Sequence, residues 1–116
     1  MIAVENVEVA RALRYIWEHY QDTLLCTDSI LAFTNLSRRP LEIAFHRELG
    51  RTINAEIIRT RLENTKKYLI HTDYTVAKIA REVGLSHPPQ LYRIFQKYIG
   101  ITPQAYRKKM RSESDQ

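Results

Sequence analysis

Apolar residues recur with the helical period along almost the whole chain. Ala10, Leu13, Ile16, Trp17 and Tyr20 fall at i, i+3, i+6, i+7 and i+10, one stripe on a helix over about residues 7–20. Thr27 or Asp28 is placed to cap a short helix carrying Ile30, Leu31 and Phe33, because a side-chain oxygen there accepts an orphan backbone N–H. Asn35 tolerates the left-handed backbone of a tight turn. Ser37 then caps a helix bearing Leu41, Ala44, Phe45 and Leu49, and Gly50 ends it. Residues 53–71 form one longer helix with Ile57, Ile58, Leu62, Tyr68 and Leu69 inward, roughly 28 Å long at 1.5 Å per residue. Thr75 caps a short helix with Val76, Ile79, Ala80 and Val83, and Gly84 makes the turn. The next helix turns Leu91, Ile94, Phe95, Tyr98 and Ile99 inward and ends at Gly100. Thr102 caps a last helix with Pro103 in its first turn, running to about Met110. Ser112–Gln116 is small and polar, a predicted disordered tail.

The two halves form an internal repeat. Ile30, Leu31, Asn35, Leu36, Ser37 and Pro40 correspond to Ile79, Ala80, Gly84, Leu85, Ser86 and Pro89 at an offset of 49. Leu41, Phe45, Leu49, Gly50 and Thr52 correspond to Leu91, Phe95, Ile99, Gly100 and Thr102 at an offset of 50. Each half therefore predicts a short helix, a tight turn and a longer helix, which is a helix-turn-helix. The fold class that follows is all-α: about seven helices in two helix-turn-helix subdomains, homeodomain-like three-helix units, joined by a long linker helix. The expected boundaries are 7–50 for the first unit, 53–71 for the linker and 75–110 for the second, within a domain over 1–111 and ahead of a tail over 112–116.

Charge adds a partner to this architecture. The 116 residues carry a formal net charge of +5, but unevenly. Residues 1–28 hold five acids and two bases, whereas 88–111 hold Arg93, Lys97, Arg107, Lys108, Lys109 and Arg111 with no acid. Such segregation suits a polyanion, nucleic acid or an anionic membrane surface, or else a solvated basic tail. Membrane binding would need a free apolar face, and the repeat's core already claims those faces. No stretch approaches the roughly 20 apolar residues of a membrane span, and Glu5 and Glu8 sit where a secretory signal would be basic. A soluble cytoplasmic protein is expected. RNA binding is disfavoured because no aromatic set occupies an outward face.

Catalytic and metal chemistry find no support. His19, His46, His71 and His87 are widely spaced, and a single cysteine excludes a multi-thiolate zinc site. Cys26 reads as a buried structural thiol ahead of a short helix. No catalytic residue, metal ligand, cofactor or ligand pocket is expected.

The candidate chemistry lies on the outer faces of the two longer helices of the repeat, which in such motifs enter the DNA major groove. Opposite Leu41, Phe45 and Leu49 project Arg39, Ile43, His46 and Arg47, with Glu42 and Arg38 beside them. Ile43 is either a scattered surface apolar residue or a contact for a thymine methyl. Glu42 can accept from cytosine N4, or it pairs with Arg38 or His46. Opposite Leu91, Phe95 and Ile99 project Pro89, Gln90, Arg93, Gln96 and Lys97. Gln90 suits adenine and Arg93 suits guanine, unless either contacts phosphate alone. Backbone N–H groups at either helix start can hold phosphate, though Pro88 and Pro89 have none to offer. A linker of roughly 28 Å against a DNA turn of about 34 Å predicts a bipartite site of about 15–20 base pairs read by a monomer. A helical protein–protein interaction module of the same fold is the alternative.

Over about residues 7–110 the chain resembles the C-terminal DNA-binding domain of the AraC/XylS family of bacterial transcription regulators. The resemblance is carried by Ile79-Ala80, Gly84, Leu91, Arg93, Phe95, Lys97, Tyr98, Gly100 and Thr102-Pro103-x-x-Tyr106-Arg107. Leu36-Ser37-Arg38-Arg39-x-Leu41-x-x-x-Phe45-x-x-Glu48-Leu49-Gly50 adds the first half, and Arg61-Leu62 with Tyr68-Leu69 the linker. It implies sequence-specific binding to double-stranded promoter DNA, usually to activate transcription by contact with RNA polymerase, and it places Arg107 with the DNA-binding residues. Where the family often has Arg this chain has Ile43, and Pro88-Pro89 replace common base-contacting residues, so the second unit relies on Gln90, Arg93 and His87. The first half also resembles regulators of pentose-sugar operons. Most members carry a further sensing or dimerisation domain. The chain is therefore expected to be the DNA-binding part of a larger effector-responsive regulator, itself monomeric with a possible dimeric parent, rather than a small stand-alone activator.

Overall fold

The structure is a computed structural model and describes residues 5–114. Among these residues lie seven helices and no strand: α1 (Val7–His19), α2 (Thr27–Leu31), α3 (Arg38–Leu49), α4 (Ile53–His71), α5 (Val76–Glu82), α6 (Pro88–Ile99) and α7 (Pro103–Ser114). They pack as two compact units, Met1–Thr60 and Arg61–Gln116, with the division inside α4. The helix predicted as a connector thus also supplies buried residues to each unit, Ile53 and Ile57 to the first, Leu62 and Leu69 to the second.

In the first unit the α1 stripe buries Val9, Ala12, Leu13 and Ile16 against Leu25, Ile30, Leu41 and Phe45. Asn6 starts α1 by accepting from the backbone N–H groups of Glu8 (2.8 Å) and Val9 (3.2 Å). Two residues expected on buried stripes are largely exposed. Trp17 lies at the flank, where its indole N–H donates to Glu56 Oε2 at 3.1 Å. Phe33 lies beyond the end of α2, which stops at Leu31. The N-cap of α2 is Cys26, one residue ahead of the expected Thr27 or Asp28, and its N–H donates to Ser29 Oγ at 3.0 Å. Cys26 is exposed rather than buried, because Leu25 makes the inward turn at that point.

The turn before α3 also departs from expectation. No non-glycine residue among those described has positive φ, so Asn35 is not left-handed. Its backbone N–H and its amide donate instead to the Glu8 carboxylate. In the second unit the equivalent residue is Gly84, at φ +90°, and Leu85 N–H reaches back to Ala80 O at 2.8 Å. The repeat thus solves one turn with a carboxylate and the other with glycine. Both long helices end alike, at Gly50 (φ +72°) and Gly100 (φ +95°), left-handed positions that a β-carbon would strain even though the space is open.

The second unit buries Val76, Ile79, Ala80, Val83, Leu85, Leu91 and Phe95. Thr75 caps α5 by accepting from Lys78 N–H at 3.1 Å. Phe95 meets Tyr106 of α7 edge to face, with ring centroids 5.5 Å apart. Tyr98, expected inward, is 53% exposed and lies beside the Lys97 ammonium. Thr65 is fully buried within α4, where its hydroxyl donates to Arg61 O at 2.8 Å. The last helix runs four residues past the expected end. Arg111 donates to Asp73 Oδ1 at 2.9 Å and to the Thr72 carbonyl, holding that turn, so 112–114 are helical rather than part of a disordered tail. The rest of the expected tail, 115–116, lies outside the described residues.

Candidate nucleic-acid interface

The side chains that anchor α3 also decide what it exposes. Leu41 and Phe45 are fully buried, so a helix of 3.6 residues per turn must turn Arg39, Glu42, Ile43, His46 and Arg47 outward. These five line one open groove of about 480 Å³. Ile43 is 46% exposed within it, flanked by two arginines and a histidine. The Glu42 carboxylate forms neither expected pair and makes no ion pair among the described residues. Arg38, at the helix start, is paired with Asp28 of α2, which turns its guanidinium towards α2. Ser37 holds the N-cap position without a side-chain cap, so its hydroxyl leaves the first-turn N–H groups unengaged.

In the second unit Leu91 and Phe95 play the same anchoring part for α6. Arg93, Gln96 and Lys97 are exposed on the opposite side, His87 is exposed at the N-cap, and Gln90 is half-buried in the first turn. Helical spacing sets Arg93 beside Gln90, Gln96 and Lys97, so the expected readout residues of this unit share one face.

Arg107 does not join that face. Its Nε donates to Leu69 O at 3.0 Å, and its Nη2 donates to Thr72 O at 3.1 Å and Tyr74 O at 2.7 Å. The guanidinium thereby satisfies carbonyls of the last turn of α4 and of the segment that follows it, a structural task for a residue expected among those that bind DNA. Arg107→Ala is accordingly expected to lower the stability of the second unit by about 2 kcal/mol, since charged hydrogen bonds are lost and carbonyls lose their donors. A salt-titrated DNA-binding assay on the same variant should show an unchanged slope. A slope shallower by about one unit would return Arg107 to the phosphate contacts.

Two carboxylates whose partners lie far off in sequence hold α3 and the turn before it. Glu48 Oε1, near the end of α3, accepts from Asn6 N–H at 2.8 Å, and Glu8 holds the turn that leads into α3. Glu56 is fully buried in α4 and receives Arg51, Arg59 and the Trp17 indole. Burial alone would raise its pKa, but the hydrogen bonds from Arg51, Trp17 and Arg59, with the Arg59 charge, outweigh that and hold it below the ordinary carboxylate value. The only local signal was Glu56 lying three residues before Arg59 and five after Arg51. Ser29 hydrogen bonds likewise draw the Cys26 thiol below its usual value.

Comparison with known proteins bears on this geometry. A family model for a helix-turn-helix domain matches residues 30–109, from the end of α2 into α7. The chain belongs to the AraC/XylS family. Within it, the regulatory protein PocR of Salmonella typhimurium is 32% identical over 107 residues, covering 92% of this chain and 35% of that protein. The xylose operon regulatory protein of Escherichia coli is 32% identical over 99 residues, covering 85% of this chain and 25% of that one. The chain thus spans about a third or less of these relatives. Among solved structures, the DNA-binding domain of AdpA in complex with a target DNA matches with a TM-score of 0.87 at 24% identity, over 96% of this chain and 99% of that one, a likeness of fold. The chain is thus a DNA-binding domain of the AraC type, and its relatives are transcription regulators rather than enzymes. No helix among the described residues is long and apolar enough to cross a membrane.

Proposed function

We propose that this domain reads a bipartite promoter site, with α3 and α6 each entering a major-groove segment, and that it activates transcription by contact with RNA polymerase in the cytoplasm. The observation that carries the reading is the pair of helix faces left outward by Phe45 and Phe95, one bearing Arg39, Ile43, His46 and Arg47, the other Arg93, Gln96 and Lys97. On α3, Ile43 supplies an apolar contact for a thymine methyl, Arg39 and Arg47 reach phosphate or guanine, and the free Glu42 accepts from cytosine. On α6, Arg93 takes guanine, Gln90 and Gln96 take adenine, and Lys97 and His87 meet phosphate. The likeness to the xylose operon regulator supports genes of sugar metabolism as the regulated class. The relatives' greater length supports a parent protein with a separate sensing part, dimeric where this domain is monomeric.

The deciding experiment is binding of the chain to the promoter DNA beside its own gene and to a scrambled duplex, by fluorescence anisotropy at two salt concentrations. A preference of about 10³-fold or more is expected for a specific complex. Equal, salt-erased binding to both duplexes would count against base readout. Arg93→Ala should cost about 1–3 kcal/mol on the specific duplex and relax preference at one base pair. Lys97→Ala should weaken both duplexes alike and flatten the salt slope by about one unit at most. An exchange of the two patterns would reverse the roles assigned to these residues.

A further inference from the structure

We infer that a cleft between α1 and the segment after α2 is a docking site for a peptide segment of a partner protein, in which one aromatic side chain is the anchor and an acidic residue lies beside it. The inference does not depend on which bases the domain reads. Helical spacing turns Arg11, Arg14, Tyr15, Glu18 and His19 onto one side of α1, and Phe33 closes the cleft, whose volume is about 290 Å³. Its wall is a short column of rings: Tyr15 stacks on His19 with centroids 4.0 Å apart at 17°, and meets Phe33 at 4.2 Å and 30°. Tyr15 packs on the hydrophobic core beneath, so the column has a fixed base. Phe33 nevertheless keeps 56% of its surface in solvent. A phenylalanine so placed offers an open ring to another ring at the cost of its own burial.

Size and charge choose the occupant. The cleft is at the lower limit of small-molecule sites, which cover most of a ligand's surface. A wall as open as Phe33 covers one side of a ring, which suits an anchor side chain whose backbone stays outside. The rim is cationic at one end. Arg14 makes no ion pair among the described residues, and Arg11 spends Nη1 on Glu8 at 3.0 Å, leaving the rest of its guanidinium exposed. Glu18 marks the other end. A carboxylate next to the anchor therefore has a bidentate partner in Arg14, and the opposing charge of Glu18 fixes the direction in which the peptide lies. None of the six lining residues belongs to the α3 groove, so the cleft can be filled while α3 holds DNA.

The test is an NMR titration of the full chain with a short peptide carrying Asp-Glu-Phe, alongside the same peptide with Phe replaced by Ala, and free phenylacetate. Saturable shifts at Arg14, Tyr15, His19 and Phe33, an affinity at least about tenfold lower for the alanine peptide, and the same affinity with promoter DNA present are the expected results. Phe33→Ser and Arg14→Gln, both exposed positions, should each weaken the peptide severalfold while leaving DNA affinity and melting temperature unchanged. Equal binding of the alanine peptide would reduce the effect to charge and overturn the proposal. Phenylacetate binding as tightly as the peptide would make the cleft a small-molecule site instead. No binding, shifts centred on Arg39–Arg47, or loss of the peptide on adding DNA would each overturn it, without touching the promoter-reading assay.

Discussion

Glu56→Ala is expected to destabilise the first unit by about 3 kcal/mol, the low end of the range for breaking a buried charge pair. The carboxylate has no exposed surface and is the shared acceptor of a convergent set of donors. Arg51 and Arg59 Nε (3.2 Å) reach Oε1, while Trp17 Nε1 (3.1 Å) and the Thr60 hydroxyl (3.3 Å) reach Oε2. Removing it leaves an indole N–H without its acceptor and a void beneath α1. The two arginines limit the loss, because they are 29% and 43% exposed and can rehydrate. Glu56→Gln keeps the volume and one acceptor oxygen, and should cost less than half as much. Trp17 is the sole tryptophan of the chain, so urea unfolding followed by its fluorescence reports on this unit alone. A loss below about 1 kcal/mol would mean the network behaves as a solvated surface pair.

The same group predicts the acid limb of stability. Its folded pKa lies below the ordinary value of 4.5, so its contribution is complete above that value and is lost as pH falls through the folded pKa. The fluorescence midpoint should therefore decline on acidification below about pH 4.5, and Glu56→Gln should flatten that decline. A variant with the wild-type acid profile would show that Glu56 is not the carboxylate responsible.

Periodicity and the repeat make the helices, their order and their outward faces legible in the sequence. Ile53–His71 runs over the predicted range, and Gly50 and Gly100 end their helices as the repeat requires. What periodicity cannot reveal is a partner distant in sequence. Arg107 binds carbonyls 33 to 38 residues away, and Glu48 receives a backbone N–H from 42 residues away. A basic residue near a recognition helix and one clamping a helix end look alike in one dimension, so the clamp that Arg107 makes is not legible in the sequence. Asn35 departs from expectation for a related reason. The turn needed either a left-handed residue or an external acceptor, and that acceptor is Glu8, 27 residues earlier. Trp17 and Tyr98 fall near the edges of apolar stripes, where a small rotation of the helix decides between core and solvent, whereas Phe33 falls past the end of α2, where the helical period no longer holds. Two of the three then find polar or cationic neighbours, and Phe33 keeps only rings.

Phe95→Ala is expected to have the largest effect on the second unit, about 3–5 kcal/mol, through lost apolar burial and the cavity left behind. The ring is fully buried, and it joins α6 to α7 through the edge of Tyr106. Leu91 and Ile79 of the same core are also fully buried, and a close-packed interior fills such a void only in part. Function should follow stability, because Phe95 and Leu91 are what turn Arg93 and Lys97 outward. The variant should keep the Trp17 midpoint of the first unit while its far-UV circular dichroism melts at lower temperature. On DNA it should lose the contribution of Arg93, so that adding Arg93→Ala to Phe95→Ala costs little more specific affinity than Phe95→Ala alone. Full additivity of the two substitutions would show that α6 holds its outward face without this ring. An unchanged melting temperature would remove Phe95 from the core on which the second recognition surface is built.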